Sequence, residues 1–132
     1  MPMTTFGLRK TLRATYDEAL VRVPEALKSE GFGVLTEIDV QSTLKQKLGV
    51  DFRRYKILGA CNPPFAHEAL TAELEIGLML PCNVVVYEGD DQQAVVLAID
   101  PTTTMAGTGN PKLVELAGKV RDKLARALSK LE

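Results

Sequence analysis

The chain has 132 residues, 45% of them apolar and 25% charged, the size and balance of one globular domain rather than a disordered segment. Sixteen basic residues against seventeen acidic ones leave a formal charge of −1, so the basic excess of a nucleic-acid binder is missing. Two cysteines, one histidine and no tryptophan confine any site chemistry to a short set of side chains.

Phe6 to Ala14 alternates imperfectly between apolar and basic residues and reads as a first strand. Thr15-Tyr16-Asp17-Glu18 has the form of a capping box, with hydroxyl and carboxylate each accepting the other residue's amide. It opens a helix running to about Glu30, with Leu20, Val23 and Leu27 on one face and Gly31 as its stop. Pro24 inside it removes a backbone hydrogen bond and predicts a kink. Phe32 to Ile38 reads as a second strand, and Asp39 as the N-cap of a short helix, Val40 to Leu48, ended by Gly49. Arg54 to Ala60 is a third strand. Asn62-Pro63 then places a capping residue before a proline at the first helical position, where a missing amide costs nothing.

Cys82 to Glu88 and Gln93 to Ile99 are valine-rich strands joined by Gly89-Asp90-Asp91, a hairpin. Asp100 to Gly109 is expected as loop. Asn110-Pro111 repeats the cap-plus-proline device and starts a final helix with Leu113, Leu116, Ala117, Val120, Leu124 and Leu128 at helical spacing. The order β-α-β-α-β-α-β-β-α predicts a single α+β domain over residues 1–132. It should form two layers, a mostly antiparallel sheet with helices on one face. Met1-Pro2-Met3-Thr4-Thr5 lacks the pattern of a secretory signal, and no apolar run approaches a membrane span. A soluble cytoplasmic protein with reduced cysteines and no membrane partner is the expectation.

The chemistry-bearing residues cluster at element boundaries. Cys61 stands at a strand end just before a helix N-terminus, whose partial positive charge depresses a thiol pKa; it also suits a small buried apolar position. His67 lies about one and a half turns into that helix, and the helical period does not decide whether it faces Cys61. Cys82 opens the next strand, so a Cys-Asn pair occurs twice at strand boundaries. If the two strands run antiparallel, the thiols share one edge of the sheet. Glu37 is expected on the same face as Leu35 and Asp39, where it either orients another group or stays solvated. Met105 is a soft donor or a gap-filler in a small-residue loop that matches no nucleotide-binding motif. A single histidine excludes a His-rich zinc site within one chain, while a mixed Cys61, His67 and Cys82 site favours copper(I) or zinc.

Three motifs carry a family resemblance. Gly31-Phe32-Gly33-Val34-Leu35-Thr36-Glu37-Ile38-Asp39-Val40 is the first, and Tyr55-Lys56-Ile57-Leu58-Gly59-Ala60-Cys61-Asn62-Pro63-Pro64 with Ala66-His67 the second. Ile76-Gly77-Leu78 followed by Leu80-Pro81-Cys82-Asn83-Val84 is the third, with Asp100-Pro101 and Met105 beyond it. Together they resemble domain of unknown function family 302 over nearly the whole chain. The resemblance implies a small soluble prokaryotic α+β protein that forms homodimers, and it carries over no reaction or cofactor. It marks Glu37, Cys61, Asn62, His67, Cys82 and Met105 as a signature.

Three functions are compatible with these residues. The first is a homodimeric binding protein for a soft metal ion or a small ligand at a Cys/His-containing pocket. The second is a thiol-dependent enzyme using Cys61 with His67. The third is a non-catalytic assembly module.

Overall fold

The computed structural model describes residues 3, 4 and 6–132; Met1, Pro2 and Thr5 of the N-terminal stretch lie outside the described residues. Five strands form one sheet: β1 (Gly7–Thr11), β2 (Gly33–Asp39), β3 (Tyr55–Cys61), β4 (Cys82–Glu88) and β5 (Ala94–Ile99). Their order is β1-β5-β4-β3-β2 and every neighbouring pair is antiparallel. The α+β architecture expected from the sequence is what the chain adopts. None of the described helices is long and apolar enough to cross a membrane.

Alternation along the strands decides which face is buried. Leu58 and Ala60 of β3, Val84 and Val86 of β4, and Val96 and Ala98 of β5 all point to one side and are buried. On that side α1 (Tyr16–Ser29) contributes Ala19, Val23 and Leu27. The last helix, α5 (Pro111–Ser129), closes the same core with Leu124, Ala127 and Leu128. The opposite face of the sheet carries Ile57, Val85 and Leu97, aligned across three strands and only half-buried.

The local signals explain the helix boundaries. At α1 the Thr15 hydroxyl accepts from the Glu18 amide at 3.1 Å and the Glu18 carboxylate from the Thr15 amide at 3.0 Å. Asp39 accepts from the Ser42 amide at 2.9 Å to start α2 (Val40–Leu48), and Gly49 ends it with φ near 68°, a conformation that favours glycine. The third helix, α3 (Pro63–Ala72), begins with proline as expected. A 3₁₀ helix at Leu74–Met79 follows it.

Asp100 to Gly109 is not the loop expected from its small residues. It contains a short helix, α4 (Pro101–Met105), then a 3₁₀ turn at Ala106–Thr108. The cause is a third cap-plus-proline device. The Asp100 carboxylate accepts from the Thr102 amide at 2.9 Å and from the Thr102 hydroxyl at 2.5 Å, with Pro101 at the first helical position.

Candidate functional site

Residues of β3, β4, α3, α4 and α5 converge on a cavity of about 370 Å³ at one end of the sheet, within the usual range for small-ligand sites, about 300–1,000 Å³. Phe65, Ala66 and Ala69 of α3 line one side, and Leu113, Leu116 and Ala117 of α5 line another. Phe32, Leu80, Pro101 and Met105 complete the apolar wall. The lining contains no Lys, Arg, His, Asp or Glu; Thr36, Asn62, Cys61 and Cys82 supply its polar atoms. Met105, Leu113 and Leu116 of this wall belong, with Ile76, to a second small apolar core.

The two cysteines do share a neighbourhood. Strands β3 and β4 run antiparallel with Ala60 opposite Cys82, so the end of one strand and the start of the next lie together. Both thiols are free and both line the cavity. Burial pushes the Cys82 thiol up to about 11, and the nearby Cys61 adds to the shift. Cys82 is therefore a protonated thiol at neutral pH, with no cationic side chain in the lining to stabilise a thiolate.

Asn62 stands at the N-cap position of α3, yet its side chain makes no capping bond. Its amide nitrogen instead donates to the Glu30 carbonyl at 3.3 Å and lies under Gly31. A Cβ at Gly31 would approach that nitrogen to 3.0 Å, and Gly31 has φ near +88°. Asn62 thus ties the β3–α3 junction to the end of α1, and its role at the site is to hold that corner of the wall.

Met105 is buried in the wall, placed there by α4. Asp100 anchors α4 to α5 through an ion pair with Arg121 at 3.1 Å. Burial alone would raise the Asp100 pKa; the Thr102 hydrogen bonds and Arg121 outweigh it and leave the carboxyl below its ordinary value.

Two of the expected residues stand elsewhere. His67 is exposed on α3 and does not line the cavity; its carbonyl accepts from the Thr71 hydroxyl at 2.7 Å, an ordinary helical contact. Glu37 is exposed on β2 opposite Leu58 and is also outside the lining. A bulge explains the separation from Leu35: Val34 pairs with Ala60 and Thr36 with Gly59, so Leu35 is an extra residue. Leu35 and Thr36 turn into the cavity wall, while Glu37 joins Asp39 on the side of Tyr16. Burial raises the Tyr16 phenol above its ordinary pKa, and the charge of Asp39 adds to this more than that of Glu37. Among the described residues, no three His, Cys, Asp or Glu side chains are grouped to hold a metal ion.

The sequence motifs did not single out the α5 contribution. Leu113, Leu116, Ala117 and Val120 read as one apolar helical face, but their upper part faces the cavity rather than the sheet core. The break between the two clusters along α5 is a matter of tertiary packing and leaves no local sequence mark.

The domain of unknown function family DUF302 has a family model that matches residues 8–131. The chain is also similar to a crystal structure of an uncharacterized conserved DUF302 protein from Bacillus stearothermophilus, with 32% identity and a TM-score of 0.90. The match covers 98% of this chain and 100% of that one. No curated protein matches.

Proposed function

The chain belongs to the DUF302 family, and we propose that it is a binding protein for a small apolar molecule held in the cavity between α3, α5 and the ends of β3 and β4. The observation that carries this reading is the lining itself: about 370 Å³ of space with no charged side chain. Apolar surface left open in this way is stabilised by an apolar occupant, at roughly 25 cal/mol for each Å² removed from water. The few polar groups, Thr36, Cys61 and Cys82 from the strands and Asn62 from the N-cap of α3, give a ligand an orientation. Two aromatic rings in the lining, the buried Phe32 and the half-buried Phe65, suit a flat or aromatic body.

The thiol-enzyme reading has less support. His67 is outside the lining, so Cys61 has no imidazole beside it in the cavity, and Cys82 is a poor nucleophile while protonated.

Fluorescence titration with the neutral probe N-phenyl-1-naphthylamine tests the proposal. Full-length reduced protein should bind one probe per chain with blue-shifted emission. An Ala66→Phe variant, which fills the cavity from α3, should bind at least tenfold more weakly while keeping its circular dichroism spectrum. Equal binding by the two folded proteins would overturn the reading.

A further inference from the structure

We infer that the face of the sheet turned away from α1 and α5 is a homodimer interface, packed against the same face of a second copy of this chain. The residues that form it do not line the cavity, so dimer formation and ligand binding are separable.

The pattern along the strands calls for a cover on this side. An antiparallel sheet with one face in water alternates apolar and polar residues. Here Val84-Val85-Val86 of β4 and Ala94-Val95-Val96-Leu97-Ala98-Ile99 of β5 are apolar without a break, the composition of strands buried on both sides. In one row Ile38, Ile57, Val85 and Leu97 stand side by side across β2, β3, β4 and β5. In the next, Tyr55 stacks on Tyr87 at a ring separation of 5.6 Å, and Phe52 lies 6.2 Å from Tyr55. None of these residues belongs to either apolar core of the chain or packs against one. At the margin Ile38 is 50% exposed and Phe52 43%. Charge is confined to the rim: Arg9 stands opposite Leu97 on the edge strand β1, and Arg53, paired with Asp90, lies 5.7 Å from the Tyr87 ring. An apolar centre inside a charged rim is the anatomy of a protein interface.

The area is sufficient for a stable dimer. Five strands ~4.8 Å apart, with about six residues rising ~3.4 Å each, make a plane of roughly 500 Å². Two copies bury about twice that, roughly the 1,000 Å² that a specific interface needs. The chain as a whole exposes 7637 Å², against roughly 6,800 Å² for a monomeric protein of its mass. The excess is close to the ~800 Å² that each partner buries in a standard interface.

The occupant is a second copy because uncharged aliphatic rows offer nothing to select an acidic or basic partner, while they are complementary to themselves. Two such sheets pack about 10 Å apart with strands crossing at roughly −30°, a contact that a two-fold axis closes.

Sedimentation equilibrium of the reduced full-length chain tests this. Twice the mass of one chain is expected at micromolar concentration. Val85→Lys puts an ammonium group at the centre of the interface and should raise the dissociation constant at least 100-fold; its long stem keeps that charge in water in the single chain, which still folds. Ile38→Glu alters a side chain already 50% exposed, leaves folding intact and should raise the constant at least tenfold. Val21→Glu, on the exposed side of α1, should leave the dimer unchanged. A monomeric native chain, wild-type dimer affinity in the folded Val85→Lys and Ile38→Glu variants, or a loss confined to Val21→Glu would overturn the proposal.

Discussion

Cys82 pairs with Ala60 across the β3–β4 ladder, which leaves it one residue from Cys61 at the same end of the sheet. That single register places two residues 21 positions apart in sequence on the wall of one cavity. The consequences can be measured.

The buried Cys82 thiol should make stability depend on pH in the alkaline range. Its folded pKa is raised to about 11 from an ordinary 9.0, so the folded state holds a proton that the unfolded chain has already lost. The contribution is intact below the unfolded pKa and disappears as pH rises toward about 11. Two pKa units correspond to about 2–3 kcal/mol. Urea denaturation at pH 8 and pH 10.5 should show the wild type losing more stability than Cys82→Ala. Equal losses would contradict the assignment.

Gly59 faces the side where Thr36 and Pro81 close over β3. A Cβ there would lie 2.2 Å from the Thr36 hydroxyl oxygen and 2.8 Å from the Pro81 ring. Gly59→Ala should therefore cost about 1–3 kcal/mol. Combining it with Thr36→Ala should recover part of that loss, since Pro81 still crowds the methyl group. A neutral single substitution in chemical denaturation would show that this corner is softer than the packing implies.

Asp100 caps α4 and holds Arg121, and both bonds fix Met105 in the cavity wall. Asp100→Ala should destabilise the protein by about 1–2 kcal/mol and weaken probe binding. Asp100→Asn keeps a good capping residue and should lose less. Thermal melts of the two variants compare the effects directly.

Glu30 receives Arg126 at 2.9 Å and Lys130 at 2.7 Å from the end of α5. The hydrogen bonds from Lys130 and then Arg126 lower its pKa to about 2. This stabilisation is present above the ordinary carboxylate pKa near 4.5 and is lost as pH falls toward about 2. Glu30→Gln should lower the midpoint of urea unfolding at pH 7 and flatten its decline between pH 5 and pH 2. A variant with an unchanged acid profile would contradict the role given to this cluster.

Much of the fold was legible because its boundaries are made by local chemistry. The capping box at Thr15 and Glu18, the Asp39 cap and the Gly49 stop each act within four residues, and sequence shows them directly. Helix α4 uses the same device at Asp100-Pro101, but three successive threonines, poor helix formers, disguise it. The site was legible in part. Cys61, Asn62, Cys82 and Met105 all reach the cavity because strand and helix ends meet there. His67 and Glu37 do not, for different reasons. The orientation of His67 depends on how α3 sits on α5, and Glu37 is displaced from Leu35 by a bulge that alternation cannot foresee.

In the proposed function the apolar cavity, and no other surface, receives the ligand. Methyl-detected NMR of the full-length protein during titration with N-phenyl-1-naphthylamine tests this most directly. Shifts are expected at Met105, Ala69 and Leu116 in the cavity wall, with Val85 and Leu97 on the far face of the sheet unmoved. Shifts confined to Val85 and Leu97, with the cavity methyls silent, would contradict it.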